Sequence, residues 1–197
     1  DTNCASFVAE MAYLAGLLSI EADDRILPTN QFDIWLTQTP SARWQSLVSQ
    51  WLITSRMSGL VGKEESKNVA PLGPELDRVA AAPLRKLTLR LLQESEGTAP
   101  QFASLLALAQ WSTPARRSGG ISSDYIQWTL REAEWLGLTG QGAISKYATA
   151  LLAGEDLDVI DQDLPKPVDH ILIQSDHTAI APGPLEHEIA QELAILA

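Results

Sequence analysis

Ser123-Asp124-Tyr125-Ile126-Gln127-Trp128-Thr129-Leu130-Arg131-Glu132-Ala133-Glu134-Trp135-Leu136-Gly137-Leu138-Thr139-Gly140-Gln141-Gly142-Ala143-Ile144 is the stretch on which the reading of the fold turns. Ile126, Leu130 and Ala133 recur at helical spacing, which predicts an amphipathic helix from Ser123 to Leu136. Gly137 ends it, because glycine enters the left-handed cap conformation without a Cβ penalty. Two short extended pieces around a glycine-rich turn follow, and Ser145 is placed to cap a last helix running to Gly154. Upstream, Pro83 to Glu94 (Leu84, Leu87, Leu91) and Pro100 to Trp111 (Phe102, Leu105, Leu106, Ala109) carry two more helical patterns. Three helices and then a small hairpin is the order of a winged helix, so residues 75–154 are expected to form one.

The end of that unit has an echo near the start of the chain. Ala9 to Leu17 aligns with Leu130 to Leu138, each giving helix, glycine, leucine and then a hairpin. In the first copy the helix is expected from Ala5 to Ala15, and the hairpin from Leu17–Ile20 and Arg25–Leu27 around Asp23-Asp24. Gln31 to Leu36 reads as a short helix. Thr39-Pro40 then offers an N-cap with proline at the first helical position, followed by the stripe Trp44, Leu47, Val48, Trp51 and Leu52. Residues 1–55 are thus read as the end of a second winged-helix-like unit with two extra helices. Two unrelated helix ends with glycine caps would produce the same nine-residue match.

Residues 56–74 combine glycines, prolines and the mixed-charge run Lys63 to Lys67 without apolar periodicity, and are expected to be a linker. Residues 155–167 read as an acidic linker. Residues 168–197 read as a β-hairpin, Val168–Gln174 and Thr178–Ala181, and a helix with Leu185, Ile189, Leu193 and Leu196 on one face. A hairpin and one helix bury too little to stand alone, so this element is expected to be truncated. Asp1 in place of methionine likewise leads to the expectation of an internal fragment of a longer protein. The fold class expected is mostly α (α+β): tandem winged-helix-like units followed by the small β-hairpin plus helix.

With 197 residues, 45% hydrophobic and 20% charged, the chain has the composition of a folded globular protein. No apolar run reaches the roughly 20 residues of a spanning helix. The one cysteine, Cys4, has no partner for an internal disulfide, which together with the lack of a signal segment points to the cytoplasm. Charge is unevenly placed. From Glu155 onward there are ten acidic residues and one basic, Lys166, carrying −9 of the net −11, whereas 15 acidic and 13 basic residues precede them. Between Arg78 and Lys146 eight basic residues outnumber five acidic ones.

The run Ile171-Leu172-Ile173-Gln174-Ser175-Asp176-His177-Thr178-Ala179-Ile180-Ala181-Pro182-Gly183-Pro184-Leu185-Glu186 resembles a signature of actinobacterial helicase-associated proteins of the XPB/Ssl2-like family. Arg25-Ile26-Leu27-Pro28-Thr29 through Asp33-Ile34-Trp35-Leu36, then Arg43-Trp44 and Trp51-Leu52, is similar to an upstream part of those proteins. The resemblance covers the first 55 residues and about the last 30, and it implies a bacterial DNA-processing or DNA-repair context in which this part is accessory to a motor or stands without one. It assigns no catalytic residue.

The residues themselves speak against a motor here. A phosphate-cradling loop needs G-x-x-x-x-G-K-[ST], whereas Gly62-Lys63 is followed by Glu64. No cofactor or catalytic residue is expected. His170, His177 and His187 with Asp176, Glu186 and Glu188 match no standard ligand spacing, and no metal is expected. Trp44 and Trp51 read as core, while Trp128 and Trp135 lie at the edge of their helix's apolar arc.

What remains is a DNA-binding reading centred on the helix 123–136. Its polar stripe is Ser123, Asp124, Gln127, Arg131 and Glu134, and in a helix-turn-helix arrangement such a stripe faces the major groove. Gln127 suits adenine and Arg131 guanine, while Arg85, Lys86, Arg90, Arg116 and Arg117 are placed for phosphates. The partners expected are DNA and a helicase or other protein. A protein-interaction scaffold with an acidic docking tail fits the same residues. The acidic run Glu155 to Asp163 is further expected to lie near the basic residues around Arg85 and Arg116, weakening nonspecific DNA binding.

Overall fold

A computed structural model describes residues 2–62, 69–95, 97–112, 121–155, 157–176 and 178–196. The chain is mostly helical with small two-stranded antiparallel sheets. Helix α1 (Thr2–Leu14) leads into β1 (Leu18–Ile20) and β2 (Ile26–Pro28), then α2 (Asn30–Leu36) and α3 (Pro40–Ile53). After short 3-10 turns at Ser58–Leu60 and Pro74–Leu76 come α4 (Ala81–Glu94), α5 (Phe102–Trp111) and α6 (Ser123–Trp135). The hairpin β3 (Thr139–Gly140) and β4 (Ala143–Ile144) and helix α7 (Lys146–Ala153) complete this part. A 3-10 turn at Asp158–Gln162 precedes β5 (Leu172–Ile173), β6 (Ala179–Ile180) and α8 (His187–Leu196).

Local chemistry explains the boundaries. Gly16 and Gly137 both have φ of 71°. In each case the next amide reaches back across the helix end, Leu17 N to Ala12 O at 2.9 Å and Leu138 N to Ala133 O at 2.8 Å. This double-bonded left-handed cap satisfies carbonyls that the helix end would otherwise orphan. The hairpins that follow differ in size. β1 and β2 pair Leu18 with Pro28 and Ile20 with Ile26, while β3 and β4 turn at Gln141 and Gly142, both with positive φ, as a two-residue hairpin requires. Thr39 and Ser145 cap α3 and α7, their hydroxyls accepting from Ala42 N and Ala148 N at 3.2 Å.

The expected division into two units with a linker between them is not what the packing shows. One core joins Phe7 and Met11 of α1 and Val48, Trp51 and Leu52 of α3 to Leu89 of α4, Ala133 of α6, Leu136, Leu138 and Ala148. Helices of both expected units therefore share a single interior. A neighbouring cluster holds α4, α5 and α6 together through Leu84, Leu91, Leu92, Leu105, Ala109 and Ile126.

The stretch read as a linker is also built in. Met57, Leu60, Val69 and Leu76 are buried with Ala81 in a third cluster. Met57 N donates to Leu76 O at 2.9 Å, Gly62 N to Val69 O at 3.0 Å and Arg78 N to Ser55 O at 2.8 Å. Its apolar residues meet in that cluster from 3-10 turns and irregular backbone, which leaves no periodicity to read. Residues 63–68 lie outside the described residues.

The acidic segment is likewise a docked strap. Leu157 and Ile160 are buried, Leu157 in the shared core. Asp161 reaches the start of α3, accepting from Ser41 N at 3.1 Å and Ser41 Oγ at 2.8 Å. A carboxylate is favourable there because the first amides of a helix lack partners and the dipole's positive end faces it. Asp163 meets Lys146 Nζ at 2.6 Å and the Tyr147 hydroxyl. Asp161 and Asp163 thus meet Ser41, Lys146 and Tyr147, whereas Arg85 meets Glu132, and Arg116 lies outside the described residues.

Candidate nucleic-acid interface

Helix α6 is divided as its pattern requires. Ser123, Asp124, Gln127, Arg131 and Glu134 are exposed, while Ile126 and Ala133 are buried and Leu130 is half-buried. The expected base-reading residues Ser123, Gln127 and Arg131 are thus brought to one open stripe, and the two acidic residues share it. Lys86 is half-buried and Arg90 exposed, one turn apart on α4. Arg116 and Arg117 lie outside the described residues.

Arg85 is not a phosphate contact. Its residue is 1% exposed, and its guanidinium donates to Thr54 O at 2.7 Å, to Arg56 O at 2.6 Å and to Glu132 Oε2 at 3.3 Å. It also lies 5.2 Å over the ring of Trp51. Burial lowers its pKa from the ordinary arginine value, with the Glu132 carboxylate opposing the shift. Arginine nonetheless keeps its proton, so the charge stays inside. The reason lies in register, since Arg85 occupies the stripe of Ala81, Thr88, Leu89 and Leu92, all buried.

Glu132, on the inward side of α6, is the other half of this arrangement. Its carboxylate accepts from Trp51 Nε1 at 2.7 Å and Ser58 Oγ at 2.7 Å besides Arg85. A second pair lies alongside, with Arg56 Nε donating to Glu10 Oε2 at 2.6 Å and Arg56 Nη2 to Gly73 O at 2.8 Å. Leu72 N also donates to Glu10. The hydrogen bond that Arg56 donates to Glu10 raises the Arg56 pKa against the cost of burial. These four charges tie α1, α3, the 54–76 segment, α4 and α6 together, and they set the rotation of α6 from behind its open stripe. Sequence reading missed them, although a charge in register with buried apolar positions is a visible signal.

The tryptophans divide as expected for α3 and acquire partners on α6. Trp51 is 1% exposed. Trp44 is half-buried, its Nε1 donating to Leu136 O at 2.8 Å. Trp135 packs on Phe7 with centroids 5.3 Å apart, and Trp128 on Tyr125 at 5.5 Å. Trp128 also lies against Gly59, where an added Cβ would fall 2.3 Å from its Cγ and Cδ2. The cleft between them, lined by Asn3, Ser58, Gly59, Trp128, Arg131 and Glu132, holds about 20 Å³, the room of one water and not of a nucleobase.

Among the described residues no three His, Cys, Asp or Glu side chains are grouped to hold a metal ion, and His177 lies outside them. No described helix is long and apolar enough to cross a membrane. No protein-family model matches the chain, and no curated protein or solved structure is significantly similar to it.

Proposed function

We propose that the chain is a non-catalytic DNA-binding module of a helicase-associated protein, with α6 presented to the duplex. The observation that carries this reading is the open stripe Ser123, Gln127 and Arg131 on the third helix of a helix-helix-helix-hairpin unit. The buried Glu132 fixes that stripe in place. Gln127 and Arg131 have the chemistry to read adenine and guanine edges, while Lys86 and Arg90 supply phosphate contacts, with Arg116 and Arg117 as further candidates. The resemblance to XPB/Ssl2-like proteins supports a DNA-repair or DNA-processing setting in a bacterial cytoplasm, where a single unpaired Cys4 is in keeping.

Fluorescence anisotropy with single-stranded, duplex and forked DNA tests the proposal. Duplex or forked DNA should bind with an affinity that falls as salt rises. Replacing Lys86 and Arg90 by Ala should weaken all sequences alike and flatten the salt slope by about 0.9 per lost duplex contact. Gln127→Ala with Arg131→Ala should instead narrow the gap between preferred and random sequences. Absence of salt-dependent binding to all three DNAs would exclude the proposal.

One observation favours the second reading, an interaction scaffold. Ile20 and Ile26, paired across the first hairpin, and Leu27 beside Ile26 are exposed, as is Ile34 of α2, apolar side chains of the kind that protein partners cover.

A further inference from the structure

No described residue from 161 to 196 is buried, and the hydrogen bonds that shape residues 168–196 stay within that stretch. Val168 N donates to Pro184 O at 2.7 Å and Glu186 N to Val168 O at 3.1 Å, tying the start of α8 to the hairpin. Val168, Ile171, Leu185, Ile189 and Leu193 are the half-buried apolar set of this stretch. Outside it, Leu172 and Ile180 sit opposite each other across the ladder and are both exposed, with Ile173 (78%) and, at the end of α8, Ile195 and Leu196 (84% each). Apolar surface left open in this amount is the mark of an interaction site.

Charge narrows the occupant. Residues 168–196 carry Asp169, Asp176, Glu186, Glu188 and Glu192 and not one Lys or Arg. A second copy would bring five like charges against five in a chain whose net charge is −11, and nucleic acid would be repelled. An occupant that covers the apolar side chains and neutralises the rim must be amphipathic and basic. We propose that residues 168–196 are a docking surface for a cationic amphipathic segment of a protein partner, its apolar side seated on Leu172 and Ile180, which share one face of the hairpin, and its Lys or Arg residues facing the carboxylates of the same stretch.

Anisotropy titration of the full chain with a fluorescein-labelled helical peptide of Leu and Lys, beside the same peptide with Glu for Lys, tests this. The Lys peptide should bind and the Glu peptide should not. Glu188→Gln with Glu192→Gln, and separately Leu172→Asn with Ile180→Asn, should each weaken binding by about tenfold, the scale of losing a complementary pair or an apolar anchor. Removing the same charge elsewhere, by Glu21→Gln with Asp24→Asn, should change it less than about twofold, as expected of a charge outside the contact. All these positions are exposed, so circular dichroism should be unaltered. Three results would overturn the proposal: no binding of the Lys peptide, equal weakening by the control pair, or sedimentation of a dimer that Leu172→Asn with Ile180→Asn dissolves.

Discussion

The hairpins β3–β4 and β5–β6 each pair two residues per strand in antiparallel register, yet their surroundings are opposite. Leu138 and Thr139 enter the first from the cap of α6 and are buried, and Ser145 leaves it as the cap of α7. Every described residue of the second, from Leu172 to Ile180, is exposed. Two strands do not bury enough to stand alone, so what distinguishes them is the company they keep. The first hairpin is braced by helices that share a core spanning residues 7 to 157. The second is braced only by α8, none of whose residues is buried.

The contrast breaks most sharply at the buried charges. Glu132→Ala would leave Arg85 charged and without its carboxylate in the interior, and Trp51 Nε1 and Ser58 Oγ without an acceptor. Urea unfolding should show a loss of about 3–5 kcal/mol. Replacing both partners, Arg85→Met with Glu132→Leu, should recover most of it, since apolar isosteres of a buried pair are often neutral. A loss under about 1 kcal/mol in the single variant would mean that solvent reaches Arg85.

Apolar truncations sharpen the same division at a smaller scale. Leu157, 1% exposed in the shared core, should cost about 2–4 kcal/mol as Leu157→Ala. Ile195→Ala, at the open end of α8, should shift the midpoint by less than about 0.5 kcal/mol. Comparable costs would show that the last thirty or so residues unfold together with the body. Limited proteolysis gives the kinetic form of this test. First cleavage is expected between Leu164 and Ile171, where the described backbone is open to solvent, and not within Thr54–Leu60, where Met57 and Leu60 are buried.

Much of the body was legible because its signals are local. Gly16, Gly137, Ser145 and Thr39 mark their helix ends by conformational and capping preferences that act over a few residues, and the α6 stripe follows from helical period alone. The parts that were not legible depend on distance in the chain. Ser41 gives no sign that its partner is Asp161, 120 residues on. Met57, Leu60, Val69 and Leu76 obey no period because an irregular backbone, not one helix or strand, brings them into one cluster. Arg85 is not legible from its charge, which suggests surface, whereas its register with Ala81, Leu89 and Leu92 runs inward. The open stripe of the candidate site was therefore readable, and the buried carboxylate that fixes it was not.

The smallest expected effect lies at the seam between the two regions, where Asp163 ends the strap. Hydrogen bonds from Lys146 and then Tyr147 hold its carboxyl below the ordinary carboxylate value. The same contact with Asp163 raises Lys146 and Tyr147. A depressed carboxyl contributes stability that is complete above its unfolded pKa and is lost as pH falls through the folded one. A raised lysine contributes stability that is complete below its unfolded pKa and is lost as pH rises through the folded one. The cluster therefore supports docking of the strap across the neutral range and releases it at both extremes. Asp163→Asn should leave a shallower fall in the urea midpoint as pH drops below about 4, the ordinary carboxylate range. It should also flatten the alkaline limb above about pH 10, where lysine and tyrosine titrate. Because the pair is exposed, 67% for Lys146 and 48% for Asp163 on their side chains, both differences should shrink in about 1 M salt, where the Debye length is near 3 Å. Parallel pH profiles for the two proteins would leave Asp161 on Ser41, together with the buried Leu157 and Ile160, as what holds the strap.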